Sequence, residues 1–127
     1  MCHQASAGAH HEDEMTLEDL RKQIDALDRQ MVELLSERAR AVLRIGHLKL
    51  QIHAPVHEPA REKVVYANVR AANKGPLPDI ELVRIYERLI DVMRSMEMHE
   101  TELEKNALAA AQGQATGAQV PETGNKQ

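Results

Sequence analysis

The feature that most constrains this chain is a run of apolar residues, spaced three and four apart, that extends from Leu17 to Ile52. This spacing places every member on one stripe of an α-helix and indicates that the helix packs against other helices. Arg38 is the charged member of the stripe, and an unpaired guanidinium there would cost several kcal/mol. We therefore expect a negative group of the protein or of a ligand to meet it. The stripe consists of Leu17, Leu20, Ile24, Leu27, Met31, Leu34, Arg38, Ala41, Ile45, Leu48 and Ile52.

The length of this helix is a second constraint. A helix over residues 17–52 is about 54 Å long at ~1.5 Å per residue, whereas a compact domain of about ninety residues is only about 30 Å across. The helix is therefore too long for its own domain. A second copy of the chain lying along it would cover the stripe, so the sequence predicts an intertwined helical homodimer.

The composition favours helices over sheets and excludes several classes of protein. The 127 residues include no Trp, no Phe and two Tyr, so the core must be aliphatic residues, Met and Ala. The net charge of -4 is a poor match for nucleic-acid binding. No segment reaches the ~18 apolar residues of a membrane span, and no apolar run resembles a secretory signal. With a single cysteine, Cys2, no disulfide framework is expected, and we predict a cytoplasmic protein.

The two ends of the chain differ in composition from its centre. Residues 1–15 mix Ala, Gly, His and acidic residues without periodicity, and we expect a disordered tail. Residues 107–127 are expected to form a flexible tail, which leaves one helical domain over residues 16–106. The histidines show no zinc-like spacing, and His10 and His11 are interpreted as part of the solvated tail, so no metal site is predicted.

Local signals define the first helix. Thr16 and Asp19 resemble a capping box at its start. It should end near Ile52, because Pro55 disfavours helical geometry at the residue before it. Gly46 lies inside the helix at a cost of about 1 kcal/mol relative to Ala. It either permits close approach of a neighbour or is simply tolerated, and the sequence does not decide between the two.

Two further helices follow. The second is predicted from Pro59, suited to a first helical turn, to about Lys74, before a Gly-Pro pair. The third should begin near Asp79 and persist to about Asn106. Its inner stripe places a second charged residue where the pattern requires an apolar one. That stripe consists of Val83, Tyr86, Ile90, Met93 and Glu97.

Several basic residues are placed to bind a small anion. Arg38 and Lys49 are three helical turns apart, ~16 Å along the axis, and can close on one ligand between them. Arg61 and Glu62 open the second helix after a loop that can fold back over the same region. Arg21 lies too far along the helix to share that ligand, but in an antiparallel dimer it would enter the partner's site. The excess of cations indicates a pocket for a dianion, where chemistry works through orientation and electrostatics.

Structural roles for these charges remain open. Arg21, Arg61 and Glu62 also fit ordinary surface positions. Arg38 and Glu97 also fit a buried ion pair that holds helices in register.

Four segments together resemble a known family. The sequence resembles the all-helical (type II) class of chorismate mutases over about residues 16–100, with the family's spacing between the segments. Those segments are LRKQIDALD at residues 20–28, LLSER at 34–38, IGHLK at 45–49 and PVHEPARE at 55–62.

The resemblance implies an intertwined helical homodimer with two equivalent sites. The implied reaction is the cofactor-free Claisen rearrangement of chorismate to prephenate, in phenylalanine and tyrosine biosynthesis. Arg38 and the partner chain's Arg21 would bind the two substrate carboxylates, and Lys49 a carboxylate and the ether oxygen. Arg61 would support the ring-facing side of the pocket, and Glu62 would receive the substrate hydroxyl. Glu97 would be the second group on the ether oxygen.

Three substrate-binding positions depart from the family's commonest pattern. Glu58 stands where Asp is frequent, and Met93 stands where a small hydroxyl residue is often found. Glu97 stands where Gln is common, and a carboxyl group donates a hydrogen bond only while it holds its proton. We therefore predict that turnover declines as the pH rises.

Other functions remain open at this point. An isochorismate pyruvate lyase shares the fold and the basic pocket, although the pairing of Arg61 with Glu62 favours the mutase. A non-catalytic helical dimerisation module would use Arg38 and Glu97 only to set register. A mutase that depends on a larger pathway enzyme as its partner is a third alternative.

Overall fold

The structure is a computed structural model that describes the backbone of residues 14–123 and the side chains of residues 14–113. Within residues 14–123 it contains three helices and no strand, which confirms the predicted all-helical class. The predicted N-terminal tail lies outside the described residues as far as residue 13. The chain divides into two compact units, and the boundary falls inside the first helix, between Arg38 and Ala39. The helices are α1 (Leu17–Gln51), α2 (Pro59–Ala72) and α3 (Asp79–Thr123).

Helix α1 begins at the predicted capping box. The Asp19 backbone N–H donates to Thr16 Oγ1, and the Thr16 N–H donates to Asp19 Oδ2, each over 3.1 Å. These bonds satisfy donors that the first helical turn leaves without intrahelical partners. The backbone bond from Thr16, and then its hydroxyl, hold the pKa of Asp19 below its ordinary value.

Helix α1 ends in a Schellman turn, one residue before the predicted end at Ile52. The Ala54 N–H donates to the Lys49 carbonyl over 2.8 Å, and the His53 N–H donates to the Leu50 carbonyl over 3.4 Å. His53 occupies the left-handed position of this turn, with φ 58. The chain therefore reverses here through its own backbone bonds, just before Pro55.

The connection between α2 and α3 is organised by Asn73. Helix α2 ends at Ala72, two residues before the predicted Lys74. The Asn73 side chain forms hydrogen bonds with the turn that follows, and these bonds stabilise the turn in place of a further helical residue. Its Nδ2 donates to the Leu77 carbonyl (2.7 Å) and to Asp79 Oδ1 (2.6 Å). This short connection brings α2 into contact with α3.

Helix α3 is longer than predicted. It continues to Thr123, so the expected end near Asn106 was wrong. The segment after Asn106 is rich in alanine, which has the highest intrinsic helix propensity. The flexibility of residues 107–127 stays a prediction.

The inner face of α3 is buried as its stripe predicts. Ile90 and Met93 are 8% and 6% exposed, and Glu97 and Thr101 continue the same face. The stripe on α1 is different, because its large apolar side chains are each exposed by between 46% and 63% along the whole helix. They are Leu17, Leu20, Ile24, Leu27, Met31, Leu34, Ile45 and Leu48. No helix within the described residues is long and apolar enough to cross a membrane.

Candidate active site

Lys49 lies at the centre of a polar cluster in the second unit. Its Nζ donates to the Val56 carbonyl over 2.9 Å and lies 3.1 Å from Glu58 Oε1 and 3.4 Å from Glu97 Oε2. The Lys49 side chain is 12% exposed. The loop after α1 therefore folds back over Lys49, as predicted, because the Schellman turn at His53 reverses the chain.

Glu97 is the most deeply placed carboxylate of this cluster. Its side chain is 7% exposed, and its Oε2 is at ion-pair distance from Lys49. The geometry of that approach does not make a hydrogen bond, and Oε2 accepts none from the described residues. A buried carboxylate oxygen without a hydrogen bond is rare in proteins and is a mark of functional sites. This oxygen is an acceptor that a bound ligand can use.

Gly46 allows Glu97 to occupy this position. A Cβ built on Gly46 would lie 2.8 Å from Glu97 Cγ and 3.4 Å from Thr101 Oγ1. Thr101 itself donates to the Glu97 backbone carbonyl over 2.8 Å. Of the two interpretations of Gly46 that the sequence left open, the structure supports close approach of a neighbouring helix.

A cavity of about 350 Å³ adjoins the cluster. Its volume falls within the range of small-molecule sites, and two lysines, Lys49 and Lys105, are among the residues that line it. Sequence reasoning missed Lys105, because it lies eight residues after Glu97 and therefore about 80° around α3 from the inner stripe. The remaining lining residues are Leu50, His53, Ala54, Pro55, Val56 and Thr101.

A second polar cluster joins α2 to α3. Arg94 donates to Glu62 Oε2 from Nε over 3.1 Å and from Nη2 over 2.7 Å. Asp91 Oδ1 lies 3.4 Å from Arg94 Nη2, and His57 Nε2 lies 3.7 Å from Glu62 Oε2. The sequence singled out Glu62 but not Arg94, because Arg94 follows Met93 and lies beside the inner stripe of α3.

The other predicted site residues differ in their exposure to solvent. Arg61 is exposed at the start of α2, and Met93 is buried one turn before Glu97. Arg21 is exposed and Arg38 half-buried, and both belong to the first unit. No group of three His, Cys, Asp or Glu side chains within the described part of the chain could hold a metal ion.

Fold and site together define an all-helical protein with a lysine–carboxylate cluster beside a cavity. A sequence model of the family chorismate mutase type II matches residues 20–98, and the chain belongs to this family.

Relatives agree with this assignment. The chain is 28% identical over 91 residues to the chorismate mutase of Methanocaldococcus jannaschii, covering 71% of this chain and 92% of that protein. It is 38% identical over 85 residues to the bifunctional chorismate mutase/prephenate dehydratase of Aquifex aeolicus, covering 64% of this chain and 24% of that protein. The chain thus spans about a quarter of such bifunctional relatives.

A solved structure has the same fold. Chorismate mutase (form II) from Thermus thermophilus superposes with a TM-score of 0.64 and 33% sequence identity. The match covers 65% of this chain and 93% of that one.

Proposed function

We propose that this protein is a chorismate mutase, which converts chorismate to prephenate in phenylalanine and tyrosine biosynthesis without a cofactor. The observation that carries the proposal is the pairing of partly buried Lys49 with buried Glu97, beside a cavity of about 350 Å³. Glu97 Oε2 accepts no hydrogen bond from the described residues. The cytoplasmic location predicted from the sequence is part of this proposal.

Lys49 and Glu97 act on the ether oxygen of the substrate. Negative charge builds on that oxygen as the C–O bond breaks, and a preorganised donor there can contribute about 3 kcal/mol to transition-state stabilisation. Two or three such donors supply the ~8 kcal/mol of a millionfold acceleration. In the structure, Lys49 donates to the Val56 carbonyl and lies near the carboxylates of Glu58 and Glu97. When the substrate binds, its oxygen atoms replace some of these partners of Lys49.

The remaining cations bind the substrate. The Lys49 cluster contains one ammonium and two carboxyl groups, which by itself does not suit a dianion. We assign the two substrate carboxylates to Arg38 and to Arg21 of the partner subunit. Arg61 supports the pocket and Glu62 accepts the substrate hydroxyl. The homodimer that this requires is supported by the exposed apolar stripe of α1.

The carboxyl group of Glu97 makes the activity pH-dependent. A carboxylic acid donates to the ether oxygen only while it holds its proton, whereas an amide donates at every pH. We expect turnover of the wild-type protein to fall as the pH rises and the profile of Glu97→Gln to be flat. Chorismate disappearance, followed across pH for both proteins, measures this. Parallel profiles would show that Glu97 does not act as the donor.

The same assay tests the function itself. Purified protein is incubated separately with chorismate and with isochorismate, and prephenate and pyruvate are quantified. Prephenate from chorismate supports the mutase. Pyruvate from isochorismate alone would assign the lyase activity, and no product from either substrate would favour a dimerisation module. Dependence on a pathway-enzyme partner stays a prediction.

A further inference from the structure

The ion pair between Glu62 and Arg94 fixes a carboxylate that the proposed function uses. Both side chains are partly buried, at 21% and 26% exposure. Two N–H groups of the same guanidinium donate to the same oxygen, Glu62 Oε2. No hydrogen bond recorded between described residues ends on Glu62 Oε1. The pair therefore restrains the carboxylate while leaving one oxygen as an acceptor.

The pair is close along the chain to residues of the candidate site: the Glu62 backbone N–H donates to the carbonyl of Glu58, whose carboxylate lies 3.1 Å from Lys49 Nζ. Arg94 follows buried Met93 and precedes Glu97 by one turn of α3, while Glu62 is in the first turn of α2. Burial raises the pKa of nearby Tyr66, and the carboxylates of Glu62, Glu87 and Asp91 raise it further. A charged pair in such a partly desolvated place interacts more strongly than one on the open surface.

We propose that Arg94 is a positioning residue for the reaction: it orients Glu62 to accept the substrate hydroxyl and offsets the negative charge of Glu62 toward a dianionic substrate. This inference rests on the proposed function, in which Glu62 receives that hydroxyl. Without Arg94 the carboxylate gains rotational freedom and repels the substrate. Both effects weaken substrate binding more than they slow the chemical step.

A purely structural role would leave a different signature. An ion pair that only joins α2 to α3 contributes to the stability of the fold but not to catalysis by folded protein. A positioning role acts through Glu62, so its effect must disappear when Glu62 can no longer accept a charge-assisted bond. A double-mutant cycle separates the two roles.

The experiment compares kcat, KM and the melting temperature of wild type, Arg94→Met, Glu62→Gln and the double variant. We expect Arg94→Met to lower kcat/KM about tenfold or more, mainly through KM, as for the loss of a charge-assisted hydrogen bond. In the Glu62→Gln background the same change should alter kcat/KM by less than about twofold. Arg94→Lys keeps the charge without the two-pronged donor and should recover part of the activity.

Arg84→Met is the matched control. Arg84 lies on the same helix and pairs with Glu81 over 3.2 Å, but its side chain is 65% exposed. We expect its kcat/KM to equal that of wild type. The inference fails, and the proposed function stands, if Arg94→Met or Arg94→Lys is folded and retains wild-type kcat/KM. It also fails if Arg94→Met causes the same loss of kcat/KM with and without Glu62. An inactive wild type would instead overturn the proposed function, and this inference with it.

Discussion

At the scale of single residues, Gly46 controls how closely α1 approaches α3. A Cβ on residue 46 would lie only 2.8 Å from the Glu97 Cγ, so Glu97 can occupy its position because Gly46 has no Cβ. The helix accepts a residue of poor helical propensity at this position because the neighbouring helix carries Glu97 into the gap. A glycine inside a helix thus has a direct consequence for the candidate site.

Gly46→Ala should therefore be harmful although alanine favours helices. The added Cβ must displace the buried Glu97, and overpacking of this kind costs about 1–3 kcal/mol, more than the ~1 kcal/mol gained in helix propensity. We expect a lower free energy of unfolding, measured with denaturant. We also expect a decrease in kcat that, expressed as activation free energy, exceeds the loss in free energy of unfolding. Gly113→Ala in α3 is the control: its Cβ would meet nothing within 4 Å, so it should stabilise the protein by about 1 kcal/mol. Equal behaviour of the two variants would contradict the role of Gly46.

At the scale of elements, the capping box determines where α1 begins. Thr16 and Asp19 exchange hydrogen bonds through side chain and backbone. Replacing Thr16 by Ala removes one acceptor and should cost about 1 kcal/mol. The Asp19 contribution depends on pH, because bonding to Thr16 lowers its pKa in the folded protein.

The sign of that dependence is defined. A lowered folded-state pKa means that Asp19 stabilises the protein above the ordinary pKa of an aspartate and ceases to do so as the pH falls through the lowered value. The stability difference between wild type and Asp19→Ala should be present at neutral pH and vanish in acid. Denaturant unfolding at several pH values measures it, with exposed Glu33→Ala as a control for removing a carboxylate from the same helix. A difference that persists in acid would contradict the capping role.

At the scale of the whole molecule, the exposed apolar stripe of α1 indicates a protein–protein interface. Eight large apolar side chains that are each at least 46% exposed form a stripe that a soluble monomer would rarely present. A second copy of the chain provides a matching stripe by symmetry. This is why the proposed active site draws Arg21 from the partner.

Mixing two inactive variants tests that arrangement. Arg21→Met and Lys49→Met should each be inactive as homodimers, because each lacks one residue in both sites. After joint unfolding and refolding, half of the dimers combine both chains and carry one intact site of two, so activity should return to about a quarter of wild type. No recovery would indicate that Arg21 acts within its own chain, and an active Arg21→Met homodimer would show that Arg21 has no part in the site. Sedimentation confirms the dimer in each sample.

Much of the fold follows from local sequence. The start of α1 at Leu17, the capping box at Thr16 and the Pro59 helix start each depend on residues within a turn or two of one another, and the structure confirms them. The packing of the α1 stripe against other helices stays a prediction, because its large apolar side chains are exposed. The predicted end of α3 near Asn106 was wrong, because the alanines beyond Asn106 favour a helix more than the glycines and the proline oppose it.

The sequence by itself determined three helices, the inner face of α3, and two charged residues, Arg38 and Glu97, at positions where the pattern requires apolar ones. Only the tertiary structure decided that Glu97 pairs with Lys49, that Gly46 makes room for it, and that Arg94 holds Glu62. The physical reason is range. Helix formation depends on neighbours three and four residues apart, whereas an ion pair between helices depends on their relative register, which local periodicity does not contain.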